Sequence, residues 1–264
     1  MRIGIVGAGP SGVAAGIFFK RYGYEVELFE REEIGGLIKN AYKVVNIPYL
    51  QPISGEEIVE IIKRRVKEFA LNVNYTEIVE VNGTTIKDVM GHTYNFDKVL
   101  VATGTRPKRL PALEVDERVV YEFLSIPPKT KSLAVYGGGD IAFDGALKAL
   151  TRGIKEVSIF VRSNNFRAVP ELYSEAVEKG IKIMLNEPII CVNPTETLKI
   201  ITTKREYSFD ALLLAIGREP DTSIIKESKG VTVVGDAAVN KRQMSISVAH
   251  AIETCMQIIE ELRK

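Results

Sequence analysis

A strand, a glycine-rich turn, a helix and a second strand occur in that order twice along this chain, and the repeat limits the fold more than any other feature. Residues Arg2 to Val6 form a short apolar run that enters Gly7-Ala8-Gly9-Pro10-Ser11-Gly12. The pattern continues with helical spacing from Val13 to Arg21 and returns as Val26-Glu27-Leu28-Phe29, ending on Glu30. The second copy runs from Leu133 to Tyr136 into Gly137-Gly138-Gly139-Asp140-Ile141-Ala142, then through Phe143 to Leu150 and on to Val157 to Val161. Two βαβ units predict an α/β chain with two parallel-sheet, Rossmann-like domains.

A second echo supports duplication. Asp97-Lys98-Val99-Leu100-Val101-Ala102-Thr103-Gly104 leads to Pro107, and Asp210-Ala211-Leu212-Leu213-Leu214-Ala215-Ile216-Gly217 leads to Pro220 at the same spacing. Each reads as a buried strand that breaks at a glycine, where backbone can approach a ligand closely. The stretches 106–111 and 126–129, rich in proline and cations, read as connections, and a further boundary falls between Gly217 and Lys229. Ser54 followed by Glu56 and Glu57 predicts a capped amphipathic helix over residues 54–70.

Composition excludes several classes of function. Thirty-five Lys and Arg against 34 Asp and Glu leave a formal charge of +1, which gives no global attraction for nucleic acid or an anionic membrane. Cys191 and Cys255 form no CxxC pair, no zinc-ligand spacing and no disulfide framework; with only 2 His, no metal centre is expected. Met1-Arg2 leads straight into the first strand without a signal-peptide h-region, and no apolar run has the length of a membrane span, so a cytoplasmic chain is expected.

The glycine turns carry the chemistry. Gly7 permits the turn, Gly9 lets the backbone approach a pyrophosphate, and Gly12 lets helix and strand pack closely, while the helix N-terminus offers N–H groups to the anion. Glu30 ends the following strand, where a carboxylate accepts hydrogen bonds from a ribose 2′-OH and repels a 2′-phosphate. The first site therefore suits FAD or NAD. The second turn has the G-x-G-x-x-A form through Gly137, Gly139 and Ala142, with Arg162 at its strand end and Arg167 soon after. Arginine in place of the acid suits a 2′-phosphate, so NADPH is favoured over NADH, the alternative being that both arginines are ordinary solvated charges. Near the C-terminus, an apolar strand ends in Gly235-Asp236 before a helix from Ser245 to Leu262; Asp236 either caps that helix or binds ligand hydroxyls.

These motifs, with Gly35-Gly36-Leu37, Asn46-Ile47-Pro48, Phe166-Arg167-Ala168 and Arg242-Gln243 between them, resemble those of the two-dinucleotide-binding-domain flavoproteins, and within them the low-molecular-weight thioredoxin reductase group. The resemblance implies two three-layer nucleotide-binding domains, with an NAD(P)H domain (112–210) inserted into an FAD domain split between 1–111 and 211–264, and a homodimer. It also implies that Gly7, Gly9, Ser11 and Gly12 hold the FAD pyrophosphate and Glu30 the adenosine ribose. Gly36, Leu37 and Asn46 would approach the flavin end, Asp236 the ribitol chain, and Gln243 with Met244 the ring. A helix beginning near Ser245 would aim its positive end at the flavin. The expected cofactor contacts further include Pro10, Arg31, Ile78, Thr103, Gly104 and Gly235, together with Asp140, Ile141, Ile216 and Gly217.

Departures from the group define the functional expectation. Members that reduce thioredoxin carry a CxxC dithiol before the second glycine turn, where this chain has Val119-Val120-Tyr121-Glu122-Phe123-Leu124-Ser125. Both cysteines are expected to be packing residues. The usual hydroxyl after Asp140 is Ile141, one of the paired arginines is Ser163, and the short stretch from Thr222 to Val231 leaves little room for a hairpin. The leading expectation is an FAD-dependent NAD(P)H oxidoreductase that passes electrons to ferredoxin, oxygen, a quinone or another small molecule, with no catalytic side chain nominated. Lys108, Arg109, Lys129 and Lys131 are candidates for docking an acidic ferredoxin, the favoured alternative being that they are solvated charges of the connections. Thioredoxin-disulfide reduction is disfavoured by the missing dithiol; a flavin-binding sensor or electron-transfer subunit is the other alternative.

Overall fold

The computed structural model describes residues 1–263. Among the described residues the α-helices are α1 (Pro10–Arg21), α2 (Gly55–Glu68), α3 (Asp140–Thr151), α4 (Pro170–Glu178) and α5 (Met244–Leu262). Pro10 starts α1 where its missing N–H costs nothing. A full capping box starts α2, in which Glu57 N–H donates to Ser54 Oγ while the Glu57 carboxylate accepts from the Ser54 N–H.

The chain divides into two units. The first comprises residues 1–39, 45–106 and 219–264, and its sheet is all parallel. Strands β1 (Arg2–Val6) and β2 (Glu25–Glu30) pair directly, β3 (Lys98–Val101) flanks β1, residues 72–75 flank β2, and the returning strand Val231–Val233 pairs with β3. The alternation of β1 sends Ile3 and Ile5 into a core with Val13, Phe19, Leu28 and Cys255. The opposite face, with Phe29, Val99 and Val101, packs on Ile78, Val81 and Ile86 of a second sheet, giving three layers.

The second unit comprises residues 40–44 and 107–218. Strand β4 (Ser132–Tyr136) pairs in parallel with β5 (Glu156–Phe160) on one side and β6 (Ala211–Leu214) on the other. Leu133 and Val135 face α3 through Phe143 and Leu147, while Ala134 and Tyr136 face an antiparallel meander of residues 189–209.

Each strand predicted from the Asp-to-Pro echo holds its unit in the same way. Asp97 Oδ2 accepts the N–H of Arg2 at 2.7 Å, and Asp210 Oδ2 accepts that of Ser132 at 2.9 Å, so each acid caps the first strand of its own module. Because β6 pairs with β4, residues 211–218 fall in the second unit, and the crossings lie at 106/107 and 218/219 where sequence suggested 111/112 and 210/211. Residues 40–44 join that unit through tertiary bonds: the N–H of Tyr42 donates to Asp144 Oδ2 at 2.8 Å, Tyr42 Oη to Glu175 at 2.8 Å, and Lys148 Nζ to the Ala41 carbonyl at 3.2 Å. Between Thr222 and Val231 the structure has a short strand, Ile225–Glu227, that runs parallel to residues 78–82, in place of a hairpin.

Candidate functional site: two open glycine turns

In the first unit, β1 hands the chain to Gly7, whose N–H donates to the Phe29 carbonyl at 2.8 Å and whose φ of +103° requires glycine. A Cβ on Gly12 would overlap the Gly7 carbonyl, so turn and helix are in backbone contact. Gly9 is different, because nothing lies within 4 Å of where its Cβ would stand. Above this opening begins α1, with no side chain capping its N-terminus and no acid in its first turn. Free N–H groups beside open space form a cradle for an anion, which fits a pyrophosphate.

Glu30 ends β2 almost fully buried, 9% exposed, and ties the turn to the strand end: Oε2 accepts the N–H of Ala8 at 2.9 Å and Oε1 that of Glu32 at 3.0 Å. Arg31 is exposed beside Glu32. The Gly35-Gly36 loop folds over the turn, with Gly35 N–H donating to Ala8 O at 2.9 Å, and Leu37 next to it is exposed. Thr103 Oγ1 donates to the Asp221 carbonyl, and Gly104 O accepts the Asp221 N–H at 3.1 Å. Ile78 is 7% exposed, with its side chain in the core.

In the same unit, Asn46 Nδ2 donates to Gln243 Oε1 at 2.5 Å, joining two residues expected at the flavin end. Gln243 is the N-cap of α5 without a side-chain cap of its own, so that helix also presents unpaired N–H groups around Met244 and Ser245. Asp236 accepts the hydroxyl of Ser247 on this helix and caps none of its first-turn N–H groups among the bonds described.

The second unit repeats the strand-to-turn bond of the first, although Gly137 lacks the positive φ of Gly7 and α3 carries Asp140 in its first turn. Gly137 N–H donates to the Phe160 carbonyl at 3.0 Å, a Cβ on Gly137 would overlap the Ala215 carbonyl, and Gly139 faces open space within 4 Å. Other features differ as well. Ile141 stands 56% exposed at the position equivalent to Ser11, which is 6% exposed. The Asp140 carboxylate accepts the Val169 N–H at 2.9 Å, and Gly138 O accepts the N–H of Arg167 at 2.5 Å, so the loop after β5 is drawn over the turn. Arg162 and Arg167 are both exposed, as is Gly217, while Ile216 is half-buried. Among the docking candidates, Arg109 is engaged by Glu114 and lies 5.0 Å over the Tyr121 ring, and Arg109 with Tyr121 holds the Glu114 carboxyl down at about 2.

The cysteines lie in different units and both are free. Cys255 is a packing residue, and burial pushes its thiol up to about 12. Cys191 departs from expectation: it is half-buried on the meander, with Sγ 3.4 Å from Asn193 Oδ1, outside the core clusters. Residues Glu122 to Ser125, where a dithiol would stand, are held by other means. Arg218 Nη1 donates to Glu122 at 2.6 Å, and Phe123 is buried beneath Lys148 and Arg152.

The sequence profile of the pyridine nucleotide-disulphide oxidoreductase family matches residues 1–252. The chain belongs to that family. Members of this pyridine nucleotide-disulphide oxidoreductase family are NAD(P)H-dependent flavoprotein oxidoreductases that use FAD, in keeping with the two cradles. A ferredoxin-NADP reductase of Ignicoccus hospitalis is 28% identical over 262 residues, covering 92% of this chain and 86% of its own length. A 34.2 kDa protein in the rubredoxin operon of Clostridium pasteurianum is 27% identical over 250 residues, covering 88% and 80% respectively. Among solved structures, thioredoxin reductase of Lactococcus lactis matches with a TM-score of 0.85 at 20% identity over 98% of both chains. That of T. acidophilum matches with a TM-score of 0.86 at 18% identity over 99% of this chain and 98% of its own. At such identities these structures establish the shared fold.

Proposed function

We propose that this family member is an FAD-dependent NAD(P)H oxidoreductase whose electrons leave to an acceptor other than a protein dithiol. The observation that carries the reading is the pair of open glycine turns, one with Glu30 and the other with Arg162 at the strand end, in a chain whose two thiols lie in separate units. The first unit holds FAD and the second a nicotinamide nucleotide. The N–H groups of α1 and α3 bind the two pyrophosphates, and Glu30 accepts from the adenosine ribose of FAD. Asn46, Gln243 and the open N-terminus of α5 orient the flavin end. Bound FAD supplies the hydride acceptor and a store for two electrons; the side chains named supply orientation and electrostatics, and none acts as an acid or base.

Ferredoxin is the first acceptor to test, supported by the ferredoxin-NADP reductases among the relatives; oxygen and quinones follow. A homodimer belongs to the same reading. An open apolar groove of about 190 Å³ between α1, α2 and α5, lined by Ile17, Leu50, Ile61, Ile62 and Val248, supports it, and light scattering tests it. Anaerobic titration of the purified protein with NADH and with NADPH is expected to bleach the flavin, and an acceptor screen then ranks ferredoxin, oxygen and quinones. Failure to bleach with either nucleotide overturns the enzymatic reading in favour of a sensor. NADPH-dependent thioredoxin reduction overturns the exclusion of a dithiol acceptor.

A further inference from the structure

Two side chains of α5 that no proposed cofactor contact uses converge on the turn Gly235–Ala237. The N–H of Gly235 donates to His250 Nδ1 at 3.3 Å, and the hydroxyl of Ser247 donates to Asp236 Oδ1. Ser247 and His250 stand at i and i+3 on one helix, so both reach the turn from a single rigid face. Because Nδ1 accepts, the ring proton belongs on Nε2 and the imidazole is neutral in this bond. Thr254 Oγ1 closes on the His250 carbonyl at 2.8 Å in the next turn of α5.

The turn is confined from the other side as well. Gly235 has φ +69°, in the left-handed region, and a Cβ there would overlap the Ser11 hydroxyl. The Gly235 carbonyl accepts the N–H groups of Ala238 at 2.8 Å and Val239 at 3.1 Å. Gly235, Ser11 and Ser247 are buried, so removal of the imidazole strands a buried N–H, which costs more than the net worth of one hydrogen bond.

We propose that His250 and Ser247 are positioning residues for the flavin, setting the Gly235–Ala237 turn and thereby aiming Asp236 at the ribitol chain. This rests on the reading of the first unit as the FAD site. Neither side chain needs to touch the cofactor: His250 holds the backbone of the turn and Ser247 the carboxylate that the turn carries.

The test is FAD titration of deflavinated protein, followed by flavin fluorescence, with thermal melting of the FAD-free chain alongside. His250→Leu and Ser247→Ala are each expected to weaken FAD about tenfold; the FAD-free melting temperature falls in His250→Leu, which strands the Gly235 N–H, and stays unchanged in Ser247→Ala. His250→Asn, whose side-chain oxygen can stand in for Nδ1, is expected to stay within about threefold of the native chain. Native FAD affinity in both His250→Leu and Ser247→Ala overturns the proposal, as does an equal loss in His250→Asn and His250→Leu. A loss in Ser247→Ala that tracks a fall in its FAD-free melting temperature also overturns it, by assigning the pair to folding. A native chain that binds no FAD at all removes the assignment of the first unit, whereas a native chain that binds FAD alongside normal His250→Leu and Ser247→Ala variants removes the clamp alone.

Discussion

Asn46 and Gln243 share a hydrogen bond of 2.5 Å across 197 positions of sequence, so the loop after the first βαβ module and the N-cap of the last helix form one polar edge. Because the two amides act as a pair, their effects on flavin binding should not add. Asn46→Ala and Gln243→Ala are each expected to weaken FAD by about fivefold, and the double variant by little more than either. A double-mutant cycle on FAD affinity measures the coupling; full additivity would separate the two side chains.

Gly9 and Gly12 lie in one turn and should fail in different ways. A methyl group on Gly9 enters open space, so Gly9→Ala is expected to fold with its melting temperature in the FAD-free state preserved while losing FAD. A methyl group on Gly12 overlaps the Gly7 carbonyl, so Gly12→Ala is expected to lose about 3 kcal/mol of stability. Urea unfolding and flavin content, measured on both, distinguish the two outcomes.

The second turn presents an exposed isoleucine where the first has a serine. Ile141→Ser adds a hydroxyl donor at the N-terminus of α3 and is expected to tighten NADPH and NADH alike, by about threefold. Arg162→Ala is expected to weaken NADPH more than NADH, because only NADPH carries the 2′-phosphate. Equilibrium titration of both nucleotides checks each variant, and an equal effect of Arg162→Ala on the two would remove that arginine from phosphate recognition.

Asp144 in α3 should make stability depend on pH. Burial raises its carboxyl to about 6 from an ordinary 3.8, although the N–H of Tyr42 hydrogen-bonds to it. The folded chain therefore holds a proton there that the unfolded chain has released, and this contribution, full below about pH 4, is lost as pH rises through 6. Asp144→Asn, which carries no charge, is expected to exceed the native chain in stability by on the order of 2 kcal/mol at pH 8, with the advantage fading toward pH 4. Urea unfolding across that range measures it, and a difference independent of pH would show that Asp144 does not titrate in this window.

Much of this protein was legible in its residues because the signals are local. Strand alternation, helical spacing, the capping box at Ser54 and Glu57, and the glycines at 7, 9 and 12 each act within a few positions of themselves, so a linear reading finds them. The Asp-to-Pro echo even anticipated an equivalence that extends to the bonds of Asp97 and Asp210. Other features depend on partners far away in sequence. Residues 40–44 are assigned to the second unit by bonds to Asp144, Lys148 and Glu175, and residues 211–218 by the pairing of β6 with β4. Leu37 and Ile78 were both expected among the cofactor contacts, and packing exposes the first and buries the side chain of the second. The sequence by itself determined where the chain could bend closely around an anion, because that depends on missing Cβ atoms and unpaired N–H groups at fixed positions. Only the tertiary structure decided which side chains steady the turns, as Gln243 does Asn46 and His250 does Gly235, because a hydrogen bond between distant residues exists only once packing has brought donor and acceptor together.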